Sequence, residues 1–106
     1  MSIELKGRGY VTMHEPSWNA VQKIARELGW IPEYETKSGE ETVLGYPVDN
    51  ILEHSARALA KVLYQVIHDI EADCLSEELV KLVKEARVYN LRAVADLAYV
   101  GTFYVD

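Results

Sequence analysis

The chain has 106 residues, of which 49% are hydrophobic and 26% are charged, which is the length of one domain and the composition of a folded globular protein. Its 17 acidic residues outnumber its 11 basic ones and leave a formal net charge of −6, which repels the phosphate backbone of nucleic acids. No apolar run approaches the ~20 residues that a membrane-spanning helix needs. We therefore predict a single domain over residues 1–106 that binds neither nucleic acid nor membranes.

The sequence also predicts a compartment. Cys74 is the only cysteine, so no disulfide can form within the chain. The segment from Met1 to Lys6 lacks the apolar core of a secretory signal. Both observations favour a reducing, cytoplasmic environment.

The first elements are a strand and a helix. Apolar residues over positions 3–11 are interrupted by Gly7 and Gly9, a pattern typical of one short strand with a bulge or turn at the glycines. Glu15-Pro16 then marks a helix start, and Gly29 its end. Between them the apolar residues recur at spacings of three and four: Trp18, Val21, Ile24, Ala25 and Leu28.

A polar segment and a long helix follow. Residues 33–46 contain a Ser38-Gly39 turn signal and several carboxylates, so this segment is either a hairpin or a mobile loop. Pro47 and Asp49 precede the longest apolar stripe of the chain, which predicts a central helix over about residues 48–72.

The C-terminal third contains one kinked helix or two helices over residues 76–100. Ser76 is a helix N-cap by its position before two glutamates, and Tyr89-Asn90 interrupts the apolar pattern that follows. The β-prone segment 102–105 needs a neighbour, and we expect it to pair with the N-terminal strand near Tyr10-Val11. The predicted fold class is therefore α+β, mainly α, with three to four helices around the 48–72 helix and a small antiparallel pair from the chain ends.

Part of this pattern resembles a group of small bacterial proteins of uncharacterised function. The matching residues are Trp18-x-x-Val21-x-x-Ile24-Ala25-x-x-x-Gly29-Trp30-x-Pro32, then Val48, then Ala56-x-x-Leu59-Ala60-x-x-Leu63. The resemblance covers residues 18–63 and implies the fold, with a first helix, a polar loop and a long Ala/Leu-rich helix. Those proteins tend to carry a glycine pair near the C-terminus, where this chain has only Gly101-Thr102. The resemblance implies no activity.

One face of the predicted long helix is the best candidate for a contact surface. It carries His54, Arg57, Lys61, Tyr64 and His68, which share a face by their spacing. This basic, aromatic stripe stands out on an acidic molecule, and we predict that it binds a partner protein or a second copy of the chain. The alternative is an ordinary solvated helix face, since Glu53 and Arg57 are i, i+4 neighbours.

The sequence contains no recognisable catalytic or metal motif, so we predict no cofactor. His54 and His68 lie roughly 21 Å apart along one helix and cannot share a metal ion. The leading hypothesis is a non-enzymatic protein-interaction or regulatory module, whose partner is either another protein or a second copy in a homodimer. The alternative is a small ligand- or metal-binding protein, or an enzyme, that uses His14, His54 or His68. Nucleic-acid binding through Arg57 and Lys61 is a third and weaker hypothesis.

The aromatic composition favours an interaction surface as well. The chain has seven tyrosines and two tryptophans but one phenylalanine. Tyrosine combines an apolar ring with a polar hydroxyl, which suits it to the edge of a core or to an interface.

Overall fold

A computed structural model describes residues 2–33, 42–43, 46–47 and 51–106. Within them it has an α+β architecture that is mainly helical, which confirms the predicted fold class. The elements in chain order are β1 (Ser2–Lys6), β2 (Tyr10–His14), α1 (Glu15–Glu27), β3 (Thr42–Val43), β4 (Tyr46–Pro47), α2 (Glu53–Glu71), α3 (Glu77–Ala86), α4 (Val88–Tyr99) and β5 (Tyr104–Val105). None of the helices in this part of the chain has the length and apolar character needed to cross a membrane.

The N-terminal segment forms two strands, so the prediction of one short strand was wrong. β1 and β2 pair antiparallel in a hairpin, and Gly7-Arg8-Gly9 is its turn. The Gly7 amide donates a hydrogen bond to the Gly9 carbonyl at 3.0 Å. Three residues between the strands are enough to reverse the chain, whereas a bulge would have left one strand running on.

The C-terminal strand pairs with β1, giving the order β2-β1-β5. The two ends of the chain therefore meet as predicted, but at Leu5 and Lys6 and not near Tyr10-Val11. β1 is the central strand because it pairs with β2 along one edge and with β5 along the other, and its alternate residues Ile3 and Leu5 are buried in the core. Tyr10 is 62% exposed and begins the edge strand β2.

Helix α1 matches its prediction closely. It begins at Glu15 with a proline in its first turn, and it ends before Gly29, which has a φ of +94°. Its buried face contacts mainly α3. Trp18 is fully buried there and meets Phe103 edge to face, with 6.3 Å between the ring centroids.

Helix α2 begins at Glu53, so the predicted start at residue 48 was wrong. Ile51 lies in an isolated β-bridge with Phe103, and its amide donates to the Phe103 carbonyl at 2.8 Å. The Leu52 amide donates to the Glu33 carbonyl at 2.8 Å. Because both amides bind other segments, the chain is extended here and turns helical only afterwards. Residues 48–50 lie outside the described part of the chain.

The C-terminal third contains two helices, and the break lies at Arg87 and not at Tyr89-Asn90. Arg87 has φ +76° and ψ 134°, a conformation that ends α3. Asn90 is buried inside α4, and its side-chain amide donates to the Ala86 carbonyl at 2.8 Å. The polar residue that interrupts the apolar pattern therefore caps the end of the preceding helix. Ser76 caps the start of α3 as predicted, accepting from the Leu79 amide at 3.3 Å.

The hairpin predicted around Ser38-Gly39 lies outside the described residues. Within the segment 33–46 and directly after it, the structure describes only Glu33 and the short antiparallel pair β3–β4, in which Val43 lies opposite Tyr46.

A buried serine joins the end of the first helix to the start of the second. The Ser55 hydroxyl accepts from the Glu33 amide at 3.0 Å and donates to the Ile31 carbonyl at 3.3 Å. The Ser55 carbonyl accepts from the Trp30 indole at 2.8 Å. Ser55 is only 2% exposed, so removing its hydroxyl would leave two backbone groups without their partner.

We expect Ser55→Ala to lower the free energy of unfolding by about 1–3 kcal/mol, the cost of leaving such groups unsatisfied. Urea denaturation followed by circular dichroism measures this. The matched control is Ser17→Ala, because Ser17 is also the third residue of its helix and makes a single long hydrogen bond of 3.4 Å to Glu85. The control should change stability by no more than about 0.5 kcal/mol. Equal effects of the two substitutions would contradict the role of Ser55.

Candidate functional site

The predicted stripe on α2 forms one wall of a groove. Arg57, Lys61, Tyr64 and His68 line it together with Gln65, and Tyr99 from α4 closes the other side. The groove has a volume of about 490 Å³, and apolar surface predominates in its lining. α2 packs more extensively against α4 than against any other helix, so one well-packed helix pair positions all six side chains.

His54 does not line this groove. It lies at the start of α2, where its Nε2 is 3.1 Å from a carboxylate oxygen of Glu33. Both side chains are well exposed, and a surface pair of this kind contributes little to stability. The structure thus brings together four of the five predicted site residues and separates the fifth.

Tyr99 is the groove residue that the sequence did not indicate. Its ring meets that of Tyr64 edge to face, with a centroid distance of 6.2 Å and an interplanar angle of 71°. Tyr99 is 64% exposed, so most of its ring remains available. The sequence places Tyr99 one residue after the last apolar position of α4, which could have marked it as a residue at the edge of the core. The pairing of α4 with α2, however, is a tertiary contact that no local pattern shows.

The basic side chains of the groove differ in whether a carboxylate already lies beside them. Arg57 pairs with Glu53 one turn earlier at 3.2 Å, and His68 Nδ1 is 3.7 Å from an Asp69 carboxylate oxygen. Within the described part of the chain, the Lys61 ammonium has no ion-pair or hydrogen-bond partner. Lys61 is therefore the uncompensated charge of the groove.

A side-chain hydrogen bond between the two helices holds Tyr64 in the wall of the groove. The Tyr64 hydroxyl donates to a carboxylate oxygen of Asp96 on α4. Burial, and to a smaller extent this hydrogen bond, raises the pKa of Tyr64 from 10.0 to about 12. The folded protein therefore favours the neutral Tyr64 hydroxyl over the charged phenolate.

The three histidines do not converge. His14 lines a separate cavity beside the β-hairpin, His54 lies at the start of α2, and His68 lies in the groove. Among the residues that the structure describes, no group of three or more His, Cys, Asp or Glu side chains is placed to hold a metal ion. Cys74 is exposed in the turn after α2, where its Sγ lies 3.3 Å from the Ala72 carbonyl oxygen.

Comparison of the chain with protein-family models, with curated proteins and with solved structures found no match. The resemblance to small bacterial proteins therefore stays a prediction.

We expect the Tyr64 contact to make stability depend on pH in the alkaline range. Because folding raises this pKa from 10.0 to about 12, the protonated hydroxyl contributes stability below pH 10, and that contribution is lost as pH rises toward 12. Thermal unfolding should therefore show a decline between pH 10 and 12 that is smaller in Tyr64→Phe. The control is Tyr89→Phe, which removes a tyrosine whose side chain is 71% exposed. Identical pH profiles for the two variants would contradict the assignment.

Proposed function

We propose that this chain is a non-enzymatic protein-interaction module and that the α2–α4 groove docks an acidic segment of another protein. The observation that carries the proposal is that one groove holds the exposed ring of Tyr99 and the ammonium of Lys61, which has no partner among the described residues. An acidic segment that bears an apolar or aromatic side chain matches both features.

The positive charge of Lys61 favours a negatively charged partner. Lys61 would gain a charge-assisted hydrogen bond from an incoming carboxylate, the stronger class of hydrogen bond in proteins. Arg57 and His68 would be shared between that carboxylate and their present neighbours, Glu53 and Asp69. Contacts of this kind at an exposed rim set specificity more than affinity.

The aromatic pair supplies the apolar contact. Tyr64 is half-buried and held by Asp96, so it presents a fixed surface, and Tyr99 packs on it with most of its ring exposed. Tyrosine loses little conformational entropy on binding and is enriched among the residues that dominate interface energies. A hydrophobic side chain seated against these two rings would anchor the acidic segment.

A symmetric second copy fits this groove less well than an acidic partner. A two-fold interface brings the same patch of both copies together, so an antiparallel pairing of α2 helices about the groove would set the Lys61 side chains close to one another. Like charges across an interface oppose association. The repulsion favours another protein over the homodimer that the sequence left open.

Selection from a random peptide library displayed on phage, with the immobilised protein as target, tests the proposal without a known partner. We expect the selected peptides to be rich in Asp and Glu and to contain an aromatic or aliphatic residue. Lys61→Glu should weaken their binding by about tenfold or more, equivalent to at least ~1.4 kcal/mol, and Tyr99→Ala should weaken it as well.

The matched control is Lys23→Glu, which makes the same charge change at an exposed position on α1. It should leave peptide affinity within about twofold of wild type, a difference of under ~0.5 kcal/mol. Basic or neutral selected peptides, no enrichment, or equal losses in Lys61→Glu and Lys23→Glu would each contradict the proposal. If light scattering showed a wild-type dimer that Lys61→Glu dissociates, the occupant of the groove would be a second copy of the chain and not an acidic partner.

A further inference from the structure

A second cavity lies on a different part of the molecule, between the β-hairpin, the start of α1 and the α3–α4 junction. Its volume is about 440 Å³, within the range of small-molecule sites. Polar surface predominates in its lining, in contrast to the aromatic groove on α2. The two sites share no lining residue.

Positive and hydrogen-bond-donating groups surround this cavity. Arg87 and His14 line it from opposite elements, the α3–α4 junction and the end of β2. In the described part of the chain the Arg87 guanidinium makes no ion pair. Glu85 lines the cavity as well, and its carboxylate can accept a hydrogen bond from a ligand hydroxyl. Arginine is the side chain best suited to binding carboxylate or phosphate oxygens in pairs.

Hydroxyl groups complete the lining. Thr12, Ser17 and Tyr89 line the cavity, and the side chain of each carries one. The Ser17 hydroxyl has a single partner at the long distance of 3.4 Å, so it can turn toward a ligand at little cost. Hydroxyls that both donate and accept match the hydroxyls of a polar ligand.

The backbone conformation of Arg87 also indicates a role for its guanidinium. At φ +76° and ψ 134°, a residue with a β-carbon is held in a costly conformation that glycine would adopt freely. Among the described residues, two of the other three positive-φ positions are glycines, Gly29 and Gly101, and the third is Asp73. Packing alone would therefore favour glycine at the α3–α4 junction, whereas an arginine there supplies a guanidinium to the cavity.

We propose that this cavity binds a small molecule that carries an oxyanion group, a phosphate or a carboxylate, on a hydroxylated body. Arg87 binds the oxyanion, His14 donates a further hydrogen bond, and Glu85 with the surrounding hydroxyls binds the body of the ligand. This site is independent of the docking groove and of the function proposed for it.

Isothermal titration calorimetry with three probes tests the site: ribose 5-phosphate, gluconate and neutral ribose. We expect at least one of the two anions to bind with a dissociation constant of about 1 mM or below, and ribose to bind at least about tenfold more weakly. Which anion binds more tightly distinguishes a phosphate ligand from a carboxylate ligand. Failure of both anions to bind, or equal binding of ribose, would overturn the proposal.

Two substitutions separate the role of Arg87 in binding from its role in folding. Arg87→Gly relieves the backbone cost and Arg87→Gln retains it, so the glycine variant should melt at or above the wild-type temperature. Both should weaken anion binding by about tenfold or more. Binding that stays at the wild-type level in the two variants would overturn the assignment.

Two further variants serve as controls. Arg26→Ala removes one positive charge at the far end of α1, about 16 Å along the helix from Glu15, and should bind the anion as wild type does. Lys61→Glu should also leave this binding unchanged, because Lys61 lines the docking groove and not this cavity. A loss of anion binding in either control as large as in the Arg87 variants would mean that net charge, and not the cavity, controls binding.

Discussion

The arrangement of this molecule depends on the fully buried side chain and backbone of Phe103. Its ring contacts Trp18 of α1, and its carbonyl accepts the Ile51 amide just before α2. On the hairpin side, a β-carbon on Gly7 would press against Thr102 and Phe103, so only glycine permits this approach of the two backbones. One short segment thus fixes the hairpin, α1 and the start of α2 relative to one another.

Both candidate sites follow from this arrangement, in different ways. The groove lies on the outer side of the α2–α4 pair, whose inner faces bury Leu59, Leu63, Leu91 and Val94 completely, so the rings of Tyr64 and Tyr99 rest on a close-packed core. The second cavity lies where three elements meet without filling the space between them. A groove on packed helices presents a fixed surface to a partner, and a cavity between elements encloses a smaller ligand.

The sequence predicted those features that depend on local periodicity and did not predict those that depend on tertiary contacts. The 3.6-residue pattern placed five basic and aromatic residues on one face of α2, of which four line the groove and His54 does not. It also predicted the bounds of α1 to within a residue or two. It placed the start of α2 at residue 48 because the apolar stripe begins there. Ile51, however, is buried as part of a β-bridge, and an apolar residue looks the same in either role. Asn90 was misassigned for a related reason. Its buried side-chain amide donates a hydrogen bond to the carbonyl of Ala86 at the end of α3, a contact that the apolar pattern does not show.

The net charge of −6 and the proposed docking of an acidic segment in the groove are compatible because the two charge effects act over different distances. At physiological ionic strength the Debye length is about 8 Å, so charges on the far side of a molecule with a 13.1 Å radius of gyration are largely screened at the groove. Lys61 acts over a few ångströms on a group that has already arrived. The acidic surface then lowers the encounter rate with acidic partners in general, and the aromatic contact with Tyr64 and Tyr99 retains those that fit. Added salt weakens the distant repulsion and the local attraction together, so the salt dependence of affinity should be shallow, in contrast to the steep dependence of proteins that bind polyanions.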